Sequence, residues 1–247
     1  MVFVTGDTHG AFRFRLKPEN FPEGNKMTKE DYVIVLGDFG IWDNGEDEND
    51  DLDYLDSLPF TTLFIDGNHE NYDILDSLPV SQWHGGKVNF VRPSVIHLMR
   101  GQYFDINGAT FFAFGGAASH DISNEIFEKD DPDLNEKMRL AEKYNQFHRI
   151  NHVSWWAREM PSKQEYSEGI ENLKKHGNKV DFVLTHSPRS EDVFAIGHGM
   201  YNTDELTDYF QKLSNTVDIG YWLFGHMHEN IYLRQAACLY EQISQIL

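Results

Sequence analysis

The sequence predicts an α/β fold, built as one domain over residues 1–247. Three observations carry this reading. Short apolar runs of strand length alternate with segments of helical spacing. The length suits one α/β unit, and 40% hydrophobic with 14% aromatic residues supplies a large core. Metal-type residues follow five of the apolar runs. The carboxyl ends of those strands should therefore converge on one polar site, where α/β sheets place their chemistry.

Taken in order, Val2 to Thr5 reads as a buried strand and Asp31 to Leu36 as the second. Pro18 to Lys29 between them is polar and turn-rich, a surface loop preceded by a helical turn. Glu46 to Asp51 is a run of acids and Asn leading into Leu52, Leu55 and Leu58 at helical spacing. Acids there complement a helix N-terminus. Thr61 to Ile65 is the third strand, and Asn71 to Leu78 a helix closed by Pro79. Lys87 to Val91, Val95 to Leu98, Gln102 to Ile106 and Thr110 to Phe114 read as strands, with Asn107-Gly108 turning the last two into a hairpin.

Residues 118–163 are polar, with no strand pattern and one helix expected over Leu134 to Ile150. We read this segment as a capping insertion beside the site. Ser162 with Glu165 forms a capping box for a helix reaching about His176. Val180 to Leu184 is a strand, Thr203 to Leu213 a helix capped by Thr203, and Ile219 to Phe224 and Glu229 to Leu233 are strands.

The formal net charge of −19 repels phosphate backbones and anionic lipid, so general nucleic-acid or membrane-surface binding is not expected. One cysteine, Cys238, excludes an intramolecular disulfide and reads as a buried thiol. No charged-then-apolar leader precedes Val2 and no run reaches membrane-span length, so a cytoplasmic protein is expected. No heptad or isolated amphipathic helix points to a protein partner.

Five clusters hold the metal-type residues. They are Gly6-Asp7-Thr8-His9-Gly10, Gly37-Asp38-Phe39-Gly40, Gly67-Asn68-His69-Glu70, Thr185-His186 and Gly225-His226-Met227-His228. Asp7, His9, Asp38, Asn68, His186, His226 and His228 offer mixed nitrogen and oxygen atoms without thiolate. That set suits Mn²⁺ first, then Fe, Zn²⁺, Co²⁺ or Ni²⁺, and argues against a structural zinc site. Seven ligands exceed one ion and suit two divalent ions sharing a carboxylate. Two such ions would clamp a phosphoryl group for in-line attack by an activated water. His69 follows Asn68 directly and is the candidate general acid. The expected substrate is a small-molecule or nucleotide phosphate mono- or diester.

The other candidates are weaker. A lone Gly-Asp is usually a turn, and only the joint pattern outweighs that reading. Arg189, three residues past His186, is the best of three arginines that could contact phosphate; Arg149 and Arg158 are the others. His120 could line the pocket, although a water-exposed loop histidine is as ordinary a reading. His198, between Gly197 and Gly199, could reach substrate, against the more common reading of a surface histidine. His97 reads as packing, and Trp155-Trp156 as a core or lid anchor.

The five motifs together resemble the calcineurin-like metallophosphoesterase superfamily, over Asp7 to His228. The resemblance implies a β-sandwich flanked by helices, with the site at the strands' carboxyl ends. It implies that Asp7, His9, Asp38 and His228 hold one ion and that Asp38, Asn68, His186 and His226 hold the other, Asp38 bridging. It implies that His69 contacts the leaving group. Protein serine/threonine phosphatases of this superfamily carry Gly-Asp-x-Val-Asp-Arg-Gly at the second motif, whereas this chain continues Ile41-Trp42-Asp43 after Gly40. The Asp and Arg of that pattern are missing, and Asp43 stands out of register. A phosphoesterase is therefore the first reading, with a non-catalytic metal-binding scaffold and a protein phosphatase as alternatives. Gly115-Gly116-Ala117-x-Ser119 with Trp155-Trp156-x-x-Glu159-x-Pro161 is similar to a group of uncharacterised bacterial and phage phosphoesterases.

Overall fold

A computed structural model describes residues 1–40, 46–122 and 125–247, with backbone alone for 46–48. In chain order the elements are β1 (Val2–Thr5), α1 (Phe12–Arg15), β2 (Tyr32–Leu36), α2 (Glu46–Ser57), β3 (Thr61–Ile65), α3 (Tyr72–Ser77), β4 (Val80–Trp83), β5 (Gly86–Arg92), β6 (Val95–Leu98), β7 (Gln102–Ile106) and β8 (Ala109–Phe114). There follow β9 (Glu125–Glu128), α4 (Leu134–Lys143), β10 (His148–Asn151), α5 (Lys163–Lys175), β11 (Lys179–Thr185), α6 (Ser190–Gly197), α7 (Glu205–Ser214), β12 (Asp218–Phe224), β13 (Ile231–Tyr232), β14 (Ala236–Cys238) and β15 (Ser244–Gln245).

Two mixed sheets result. One runs β15-β1-β2-β3-β6-β5-β4, with β1, β2, β3 and β6 parallel. The other runs β13-β14-β12-β11-β8-β7, with β14, β12, β11 and β8 parallel. Strand side chains alternate between faces, so each strand feeds two apolar layers. Val2, Val4, Ile34 and Leu36 meet Phe104, Phe111, Ala113, Leu184 and Leu223 in the layer shared by the sheets. Phe3, Val33, Val35 and Phe64 face outward onto α1, α2 and α3 through Phe12, Leu52, Leu55 and Tyr72. On the other side Phe112, Phe114, Trp222 and Phe224 pack on α5 and α7 through Leu173, Leu206, Phe210 and Leu213. The result is the expected sandwich of two sheets between helices.

Several elements differ from the sequence expectation. The helix expected to Ile150 ends at Lys143, because Asn145 turns left-handed (φ 51°) and Gln146 N–H closes onto the Ala141 carbonyl. Residues 118–163 do contain strands, β9 and β10, paired parallel. Helix α7 is capped by Asp204, not Thr203: its carboxylate accepts from the Leu206 and Thr207 N–H groups, both at 2.8 Å. The Ser162–Glu165 capping box opens α5 as expected. The expected strand over Glu229 to Leu233 shrinks to β13, while β4, α6, β14 and β15 lacked a readable signal. Among the described residues no helix is long and apolar enough to cross a membrane. Cys238 is buried, as expected.

Candidate metal centre

Each ligand-type residue sits where a strand stops. β1, β2, β3, β11 and β12 end at Thr5, Leu36, Ile65, Thr185 and Phe224, just before Asp7, Asp38, Asn68, His186 and His226. Because these strands are parallel within their sheets, the loops all leave at one edge of the sandwich. The loops also fold back sharply. His9, Asp38, His226 and His228 have positive φ of 44°, 43°, 66° and 51°. Non-glycine residues avoid that region, and clusters of such strain mark functional sites. The glycines before the ligands make room for other ligands. A Cβ on Gly37 would lie 2.3 Å from the His186 ring, and one on Gly67 would lie 2.1 Å from Asp38 Oδ1.

The loops bring Asp7, His9, Asp38 and His228 together, one ligand atom from each lying within 4.8 Å of all the others. His9 Nε2 and His228 Nε2 are 3.1 Å apart. His228 Nε2 stands 3.1 Å from Asp7 Oδ2, and His9 Nε2 stands 3.9 Å from Asp38 Oδ2. Beside them His186 Nε2 faces Asp38 Oδ1 and Asn68 Oδ1, each at 3.3 Å. His226 packs edge-on to His186 with ring centroids 4.9 Å apart. All seven ligand-type residues therefore meet at one place.

Three features show that the donor set fits a cation. Asp7 Oδ2 is buried with no acceptable hydrogen bond, although His228 stands close. Two imidazole nitrogen pairs, His9–His228 and His120–His226, face each other at 3.1 and 3.0 Å. In each pair, two lone pairs would collide unless a proton or cation intervenes. His186 is the third case. Its Nδ1–H donates to the Leu36 carbonyl at 2.7 Å, which leaves Nε2 aimed at two oxygens. Burial alone would lower its pKa, yet Asp38 and Asp7 push it up to about 10. The site thus draws positive charge onto Nε2. His226 goes the other way: burial and the neighbouring His186 push it down to about 3, keeping it a neutral donor.

A second group of residues, to which the sequence reading gave no such role, aims these ligands. Glu70 is fully buried and accepts the Phe39 and Gly40 N–H groups at 2.6 and 3.3 Å, tying the third loop to the second. Glu159 accepts both the N–H and the hydroxyl of Ser119, at 2.9 and 2.6 Å. With its proton committed to Glu159, Ser119 Oγ is left to accept from Asn68 Nδ2 at 3.4 Å. That fixes the amide so its oxygen faces His186. Asp66, just before Gly67, accepts from Arg100 Nε at 2.7 Å and Tyr72 hydroxyl at 3.0 Å, and contacts His97 Nε2 at 3.0 Å. His97 is thus part of this buried network rather than simple packing. The Gly115-to-Ser119 and Trp155-to-Pro161 motifs held the available signal, since they carry Ser119 and Glu159.

The other candidates divide. His120 lies against His226 and lines a groove that opens beside it. His69 donates its backbone N–H to Asp38 Oδ1 at 2.8 Å and sets its ring edge-on to His9, with centroids 5.5 Å apart. Burial lowers its pKa and Asp38 opposes the shift. Arg189 does not face the cluster as expected: its guanidinium forks onto Asp192 at 2.6 and 2.9 Å and lies over Trp222. His198 takes the left-handed C-cap position of α6 (φ 49°), exposed and outside the groove lining. Arg149 pairs with Asp121, and Arg158 pairs with Glu165 and Asp76. Trp156 is buried under the first sheet, as an anchor would be. Asp43 lies outside the described residues.

A family model described as calcineurin-like phosphoesterase matches residues 1–230. No curated protein matches the sequence. A solved structure of a phosphopantetheinyl hydrolase from Mycobacterium tuberculosis is similar at 15% identity, over 97% of this chain and 87% of that one, with a TM-score of 0.42.

Proposed function

Because this chain belongs to the calcineurin-like phosphoesterase family, we propose that it hydrolyses phosphate mono- or diesters with two divalent ions. One observation carries the reading: Asp7, His9, Asp38 and His228 converge within 4.8 Å around a buried carboxylate oxygen that lacks a hydrogen bond. In this reading these four hold one ion, and Asp38, Asn68, His186 and His226 hold the other. Mn²⁺ is our choice of ion for the test, and Fe, Zn²⁺, Co²⁺ and Ni²⁺ also suit such mixed nitrogen and oxygen donors. When bound, the ions would neutralise phosphoryl oxygens and ease deprotonation of the attacking water.

The chain's own residues do the rest. His69 stands at the cluster's edge and protonates the departing ester oxygen. Its backbone N–H keeps Asp38 in place. The Leu36 carbonyl holds His186 in the tautomer that presents Nε2. Residues 118–163 act as a cap, bringing His120 to His226 and Ser119 to Asn68. The substrate is a small-molecule or nucleotide ester, because a net charge of −19 disfavours long phosphate backbones.

The test is metal analysis of the purified chain together with Mn²⁺-supported hydrolysis of chromogenic mono- and diesters. Two ions per chain and metal-dependent turnover are expected. Neither metal nor turnover would overturn the reading, and bound metal without turnover would favour a non-catalytic scaffold. A phosphopeptide hydrolysed faster than every small ester would point to protein dephosphorylation.

A further inference from the structure

The centre opens on one side into a groove of about 420 Å³, which begins at His120, His226 and His228. Val193, Met200, Tyr201 and Met227 also line it. Met200 and Tyr201 are 77% and 55% exposed, large apolar surface held beside a polar cluster. The Tyr201 ring packs over Gly197, where an added Cβ would lie 2.5 Å from it, so a side chain at 197 would displace the ring. The polar lining is mostly engaged. Asp204 and Thr207 hydrogen-bond each other in the cap of α7. Among the described residues no lysine or arginine lines the groove, and its one carboxylate is Asp204. A second anionic group would meet no counter-charge there, whereas a flat uncharged ring would meet Tyr201 and two methionines.

Resting on the hydrolase reading above, we propose that this groove selects esters whose substituent is an uncharged aromatic ring, such as an aryl or nucleobase-bearing group. Tyr201 and Met200 would be the residues that set this preference.

The experiment titrates phenylphosphonate and methylphosphonate into the full-length, Mn²⁺-loaded chain by calorimetry, and measures each as a competitive inhibitor of chromogenic ester hydrolysis. Phenylphosphonate should bind more tightly by on the order of tenfold, the low end for an apolar group entering a pocket. Tyr201→Ala and Met200→Ala should each erase most of that ratio while leaving methylphosphonate binding unchanged. 4-Carboxyphenylphosphonate should lose the advantage. Equal binding of the first two ligands, no binding of either, or a ratio untouched by both variants would overturn the proposal. Turnover of esters with equal phosphonate binding would defeat this inference alone. A phenyl preference lost in the variants, with no turnover of any ester, would defeat the hydrolase reading and leave the groove's selectivity standing.

Discussion

Replacing Asp66 by Asn should destabilise the protein sharply, because it strands a buried cation. The Asp66 and Arg100 side chains are each 2% exposed, and their closest approach is 2.5 Å. Burial alone would raise the Asp66 pKa, but Arg100 and His97 hold it far below the usual carboxylate range. Removing one partner of such a pair costs about 3–5 kcal/mol. Arg100 keeps the Tyr72 hydroxyl at 2.7 Å and the Glu159 carbonyl at 3.0 Å, so the lower end applies. A loss of about 3 kcal/mol in a domain of this size lowers Tm by about 6–12 °C. The assay is calorimetry on chelator-treated protein, so that metal binding adds nothing to either variant. Asp66→Asn/Arg100→Met should recover part of the loss, since no buried charge is then left alone. The pH dependence has a fixed sign. A carboxylate with a depressed folded pKa contributes fully above the ordinary Asp value of about 3.9 and loses that contribution on acidification below it. Wild type should therefore lose stability below about pH 4 more steeply than the variant. A shift below about 1 kcal/mol at neutral pH would refute the reasoning.

Three further outcomes are expected. His69→Asn should lower turnover by roughly 10²–10⁴-fold with metal content intact; loss of metal alongside activity would make His69 structural. Ser119→Ala removes the acceptor that orients Asn68, so affinity for one of the two ions should fall about 10–100-fold while the other is retained. Stepwise metal titration reads this, and an unchanged second affinity would contradict it. Burial pushes the Cys238 thiol up to about 12. An Ellman-type reagent at pH 8 should thus find no reactive thiol until the chain is unfolded, and prompt labelling of native protein would show the site is open.

Four of the five ligand loops were legible because they are short and announce themselves, with an apolar run, a glycine, then a ligand; Thr185-His186 lacks the glycine and was read only as part of the joint pattern. Val33 to Leu36 followed by Gly37-Asp38 needs no partner to be read. The aiming residues were not legible, because their meaning is a distance between remote segments. Nothing local in Ser119 or Glu159 says that one will orient Asn68, fifty residues away, by leaning on the other. Arg189 failed for the opposite reason. Its position near His186 along the chain looked useful, but the first turn of α6 places Asp192 under its guanidinium. Strands β14 and β15 escaped because three and two residues carry too little periodicity to distinguish them from coil. The same holds for β9 and β10, whose four-residue runs mix charged or polar residues with only two and one apolar residues.

The left-handed backbone at His9, Asp38, His226 and His228 sets this centre against the rest of the molecule. Each such conformation costs an L-residue roughly 1–2 kcal/mol that glycine would not incur. Selecting variants for heat resistance in a chelating medium should accordingly enrich glycine at these four positions, and the hardiest survivors would be the ones least able to capture an ion. Thermal robustness and metal capture pull the same four codons in opposite directions.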